Sequence, residues 1–435
     1  MVLPRLYRVT QKFANQKIGA LDAAICDGIE KLFAHRKLPK GSRIGITAGS
    51  RGISNIVEIL RHTIRCVRER GFLPVLVAAM GSHGGGTAEG QTEVLTSLGI
   101  TPQTMGVPVL TGSETVEVGR TAGGLCAYLV RHALELDGIV VVNRVKPHTG
   151  LIGPIQSGLT KSCVVGLGGP SGAQQFHSLG VTELPKTLRD IGTILLQNTR
   201  ILGGLAIVEN SYEETAHITA LQADRFLEEE PEILALASRL MPRLPVDELD
   251  MLIVEEMGKN YSGTGVDTNI IGRLRIHGIP EPSRPAIKRI VVLDLSEESH
   301  GNANGAGCVD FITDKLFGKI DTTATYLNCM TTTFVQRGFI PLHFPTEKQT
   351  IEMAVVSLGQ CVPEKLRLMI VPNTLHLEKL LVSEPLVKEL KGQANLEIDP
   401  APLPFTFDSE LRMANRLLRK KPAPETLRAP ACNCG

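Results

Sequence analysis

Two α/β domains, each organised on a largely parallel sheet, are what this chain predicts from three observations. Apolar, β-branched runs recur at residues 42–47, 73–80, 136–143, 202–209, 251–256, 290–295 and 366–372. They have the look of strands buried on both faces. Helical patterns and glycine-rich loops alternate with them, as in βαβ units. The length, 435 residues, exceeds one comfortable core.

The elements follow in order. Ile18, Leu21, Ile25, Ile29 and Leu32 recur at helical spacing and predict a helix over 15–35. The strand at 42–47 ends in Ala48-Gly49-Ser50-Arg51-Gly52, and a helix is expected over 54–70, with Ser54 as its N-cap. The strand at 73–80 runs into Gly81-Ser82-His83-Gly84-Gly85-Gly86, then a helix over 87–98. Short strands or hairpins fill 107–128, followed by the strand at 136–143 and its long loop. A helix over 184–196, a strand over 202–209 and a charged helix over 221–240 lead to Pro242-Arg243-Leu244-Pro245, read as the interdomain connection. Helices are expected near 308–319 and 349–359. The resulting expectation is a Rossmann-like parallel-sheet domain over residues 1–245 and a smaller α/β domain over 246–415, with the active site in the cleft between them. Residues 416–435, basic and proline-rich, are expected to form a flexible tail.

Composition narrows the partners. A formal net charge of +1 gives no general pull toward nucleic acid or a membrane surface. Aromatic residues make up only 4%, with no Trp, which does not suit a base-stacking surface. No apolar run is long enough for a signal peptide or a membrane span. The nine cysteines include no CxxC, and only Cys432 and Cys434 are close, so a reducing, cytoplasmic setting is expected.

Ligands in open α/β sheets sit beyond the carboxyl ends of strands, and several chemistry-bearing residues fall there. The glycine loop around His83 brings backbone N–H groups close to an anion, with Ser50, Gly84 and Gly85 as binding candidates. Arg51 offers a planar guanidinium that suits a carboxylate or phosphate, or it is a solvated loop arginine. His148, in Lys146-Pro147-His148, is a candidate general base, with Lys146 as a possible anion binder. Lys161 is a lone cation in a small-residue, apolar run, which fits covalent attachment, phosphate binding or mere exposure. His177, in Gln174-Gln175-Phe176-His177, cannot make a metal site with one lysine; any metal here needs further ligands from a cofactor. In the second domain, Gly258-Lys259-Asn260-Tyr261-Ser262-Gly263 and Ser299-His300-Gly301-Asn302-Ala303-Asn304-Gly305 are the candidate substrate-facing loops, and Lys259 is either a holder of a carboxylate or carbonyl oxygen or a surface lysine.

Together, Arg51, His83, His148, Lys161 and His177 resemble the N-terminal domain of the lactate racemase family, which uses a nickel-pincer nucleotide. The resemblance covers roughly residues 40–210. It implies a racemase or epimerase that inverts Cα of a 2-hydroxy acid by hydride transfer to and from the lysine-tethered nucleotide. It assigns the substrate carboxylate to Arg51, paired acid/base work to His83 and His148, the covalent bond to Lys161 and the nickel to His177. The nickel-pincer biosynthetic enzymes are then expected partners. The sequence departs from the family at Ala48, where an acidic residue is usual, and at Gly52, where a proline often follows the arginine. The step from His148 to Lys161 is also longer. The alternative is a pincer-free relative that binds an anionic metabolite or nucleotide, or catalyses a different reaction, in the same cleft. An ordinary NAD-type dehydrogenase is disfavoured, because no G-x-G-x-x-G follows the first strand.

Overall fold

The computed structural model describes residues 1–34 and 36–418. Two large sheets, each covered on both faces, organise the chain. The first has the order Val109–Leu110, Leu73–Ala78, Arg43–Ala48, Gly138–Arg144, Ile201–Glu209, Thr215–Gln222. Its strands are parallel except the last, which returns antiparallel beside Ile201–Glu209. Strand periodicity of two decides which core each side chain enters. Val140 and Val142 face the helices Leu21–Phe33 and Ile56–Glu69. Ile139 and Val141 face the helices Leu184–Asn198 and Phe226–Leu240. Each face is therefore closed, as the continuous apolar runs require.

The second sheet runs Leu342–Phe344, Phe311–Thr313, Ala286–Val292, Glu248–Val254, Leu368–Val371, Lys379–Ser383, Leu6–Gln11, Leu396–Ile398. The strands from Leu342–Phe344 to Leu368–Val371 are parallel and the others antiparallel. The N-terminal strand therefore does not belong with residues 13–245. Leu6 and Val9 are buried in the second domain's cores, with Leu6 opposite Ser383 and Val9 opposite Leu380. Pairing across that sequence distance leaves no local trace, so the boundary at 1–245 fails at its start.

Other differences are local. Residues expected in the charged helix over 221–240 begin as the strand Thr215–Gln222, and the helix itself is Phe226–Leu240. Ser54 does not cap its helix; its backbone N–H donates to Glu209 Oε1 at 2.7 Å, and left-handed Asn55 precedes Ile56–Glu69. The expected helix over 308–319 is instead the strand Phe311–Thr313 and a short helix, Asp314–Gly318. Residues 416–418 are not a free tail: the Leu417 and Leu418 N–H groups donate to the two oxygens of buried Glu255. Cys432 and Cys434 lie outside the described residues. Cys26 and Cys66 form a disulfide between the first two helices. Such bonds are rare in a reducing cytoplasm, which sits poorly with that expectation. Among the described residues, no helix is long and apolar enough to cross a membrane.

Candidate functional site

Strand ends deliver the first domain's groups. Arg51 follows Arg43–Ala48 by three residues, and His83 follows Leu73–Ala78 by five. Ser50 Oγ hydrogen-bonds His83 Nδ1, joining these two loops. Gly84 is required by shape: its φ is +67°, and a Cβ there would lie 2.5 Å from the Gly90 carbonyl carbon. That close approach folds the loop over the start of the helix Ala88–Ser97, where Thr87 accepts from the Gly90 N–H. Gly85 also has a φ of +67° but faces open space.

Lys161 and His177 share one winding segment. The turn Leu159–Lys161 passes into a π-helical turn, Ser162–Gly166, and then the helix Gly169–Ser178. Wide turns of this kind are frequent at functional sites. Glu230 anchors the segment's start. Its buried carboxylate accepts from the N–H groups of Leu159 and Thr160 and from Thr160 Oγ1. Burial pushes this carboxyl up to about 7, against the pull of those three donors.

The charges converge. His83 is lowered to about 4, by burial first and then by Arg51, Lys161, His177 and Lys259. His177 is also lowered to about 4, by burial and then Lys161. Lys161 falls to about 8 through burial and then Arg51. Lys259 falls to about 8 through burial, then Arg51. The predicted site residues of both domains are thus within electrostatic reach of one another. Both His83 and His177 are neutral at pH 7, and their lone pairs are available.

His148 differs from His83. Its Nδ1 accepts two backbone N–H bonds, from Gly150 at 3.0 Å and Leu151 at 2.9 Å. Burial, then Lys161 and Arg337, hold its pKa well below the ordinary value. A neutral imidazole with an occupied Nδ1 lone pair carries its proton on Nε2. His148 therefore presents an N–H, whereas His83 can leave its Nε2 bare by donating from Nδ1 to Ser50.

The second domain closes the other side. Lys259 Nζ donates to the Gly263 carbonyl at 2.7 Å and to Asn328 Oδ1, leaving one of its three donors for a ligand. Its backbone N–H donates to Ser299 Oγ at 2.9 Å, so the two expected loops brace each other. Among the described residues, Arg51, Lys161 and Lys259 form no ion pair with a carboxylate. Lys146 does: it lies 3.8 Å from Asp267, which weakens it as an anion binder.

Two residues that hold the candidate site's loops in place were not singled out from the sequence. Buried Arg337 donates to the Thr149 carbonyl, which also accepts from Thr268 Oγ1 at 2.8 Å. These bonds fasten the His148 loop to the second domain. Arg337 is the lone charge in residues 322–344, the same signal that marked Lys161. Glu230 sits with Phe226, Ile233, Leu234 and Ala237 among the buried residues of its helix, so helical spacing marks it as an inward acid.

No family profile matches the sequence, and no curated protein does. Among solved structures, the chain is similar to the lactate racemase apoprotein from Thermoanaerobacterium thermosaccharolyticum. The identity is 12%, the match covers 83% of this chain and 93% of that one, and the TM-score is 0.49. A likeness at that level carries no argument about chemistry.

Proposed function

We propose that this chain is a racemase or epimerase that inverts Cα of a 2-hydroxy acid, working with a nickel-pincer nucleotide tethered to Lys161. The observation that carries this reading is the convergence of Arg51, Lys161 and Lys259, none paired with a carboxylate among the described residues, around the neutral histidines 83, 148 and 177. Unpaired cations gathered in one place call for an anionic ligand, most strongly half-buried Lys161 and Lys259, with Arg51 more exposed.

The donor set suits the tethered group. Lys161 has a much larger free-amine fraction at neutral pH than an ordinary lysine, as a covalent bond to an acyl group requires. Neutral His177 offers one ligand to a metal whose other ligands come from the nucleotide. When bound, the group supplies acceptance and return of a hydride.

The chain's own residues do the rest. Arg51 and Lys259 each hold the substrate carboxylate in one of its two placements. His83 takes the hydroxyl proton at Nε2, and an anion beside it raises its pKa from about 4 toward a working range. His148 donates an Nε2–H hydrogen bond to the same oxygen as it becomes a carbonyl. The paired-base expectation thereby becomes one base and one fixed donor. Inversion with one base requires the planar keto acid to turn about its C=O axis, exchanging carboxylate and side chain. A cation from each domain provides for both placements.

The pincer-free alternative uses the same cations for an anionic metabolite or nucleotide. Ala48, buried where the resembled family carries an acid, favours it. Chiral chromatography of single-enantiomer 2-hydroxy acids incubated with protein coexpressed with the pincer biosynthetic enzymes separates the two. Interconversion that is lost in Lys161→Ala supports the racemase, and interconversion that survives in Lys161→Ala excludes it.

A further inference from the structure

Half of the exposed large apolar side chains among the described residues lie in one short stretch. Eight of sixteen fall between Phe317 and Leu342, including Leu327 at 67% exposed, Met330 at 68% and Leu342 at 63%. The helix Thr322–Thr332 presents Tyr326, Leu327 and Met330 outward, while Thr325 and Cys329 are buried and Asn328 reaches Lys259. Just beyond it, Phe334 and Arg337 point toward the first domain, while Val335 and Phe339 are exposed. The outward face is continuous. Gly338 lies against the Tyr326 ring, the strand Leu342–Phe344 follows at once, and the Phe317 ring stacks 4.1 Å from His343 in that strand.

The face is poor in charge: Lys319 and Asp321 lie at its Phe317 end, where Asp314 also pairs with His343, and the rest carries almost none. Residues 322–344 hold one Lys, Arg, Asp or Glu, and that residue, Arg337, is buried. Depletion of charge with enrichment in Tyr, Met and Phe is the composition of an interface core. The eight side chains together expose roughly 800 Å², taking about 150–250 Å² for each large side chain. That exceeds the ~300–600 Å² patch of an ordinary monomer and equals the ~800 Å² per partner of a standard stable interface.

We propose that this face is the interface of a homodimer, in which a second copy of the chain meets it about a twofold axis. Among the described residues, the strand Leu342–Phe344 ends the second sheet and pairs with Phe311–Thr313 alone, leaving its outer edge open. An open edge beside an apolar face is self-complementary under twofold rotation. A face with charges at one end alone has little charge pattern with which to select a different partner. Residues 419–435 are a poor cover, since Leu427 is their one large apolar side chain. The dimer would lie directly behind Asn328 and Arg337, bracing the second-domain wall of the site.

Sedimentation velocity of the full chain from about 1 to 100 µM tests this. The expected mass is twice the 47.0 kDa chain mass. The double variant Leu327→Asp/Met330→Asp should weaken dimerisation at least 100-fold, and Leu342→Lys at least 10-fold. These side chains are exposed, and an unchanged far-ultraviolet circular dichroism spectrum confirms that each variant folds. A wild-type monomer at about 100 µM overturns the proposal and leaves the face to another protein. A dimer that survives both variants overturns it too, because it must use another surface.

Discussion

Lys161 should behave as an unusually reactive amine. Its ammonium is lowered to about 8 from an ordinary value of 10.5. At pH 7 that leaves about one amine in ten unprotonated, against about one in three thousand for an ordinary lysine, roughly a 300-fold difference. Nucleophilicity falls with basicity; a Brønsted slope of about 0.4–0.5, as for thiolates, reduces the net advantage to roughly 20-fold. Burial is the main cause and Arg51 the second, so Arg51→Met should raise the pKa by only part of the shift. The assay is limited carbamylation with cyanate between pH 6 and 10, quantified for the Lys161 peptide by mass spectrometry. A midpoint near pH 8 for Lys161 is expected, with the lysines of the exposed surface as reference. A Lys161 midpoint near 10, unmoved by Arg51→Met, would refute the idea that this cleft depresses the amine.

Further expectations follow from the same geometry. Glu230→Ala leaves three buried donors unsatisfied at the turn before Lys161, and should cost about 3 kcal/mol in urea unfolding. A loss under 1 kcal/mol would show that the turn holds without it. In the chain without the nucleotide, imidazole NMR should find His83 taking its proton only near pH 4, and Lys259 should lose its charge near pH 8. A His83 midpoint near 6.5 would mean that it is not held down. Nitrogen NMR should find His148 with its proton on Nε2 from pH 5 to 9, and His148→Gln should lose far less activity than His83→Gln. An imidazolium at His148 at pH 6 would restore the paired-base scheme.

Much of the first domain was legible because its strands are buried on both faces. Residues such as Ile139 to Val142 have no polar alternation to confuse with a surface strand. The site loops were legible because their chemistry is local: a histidine among glycines, and a lysine in an apolar run. What escaped was non-local or mixed in pattern. Thr215–Gln222 reads as neither a clean strand nor a helix, since it pairs antiparallel at the sheet's edge. Leu6–Gln11 finds its partners about 370 residues away or more. Glu230 looked like one acid in the run Glu228–Glu230, and only its phase with Phe226 and Leu234 reveals that it turns inward. The fixed proton on His148 depends on the backbone of Gly150 and Leu151, which no side-chain pattern encodes.

Intact-protein mass and nickel content after coexpression with the pincer biosynthetic enzymes test the central claim most directly. A mass increase of nucleotide size that maps to Lys161, with about one nickel per chain, is the predicted result. An unmodified, nickel-free chain would contradict it, and would mean that Arg51, Lys161 and Lys259 hold some other anion.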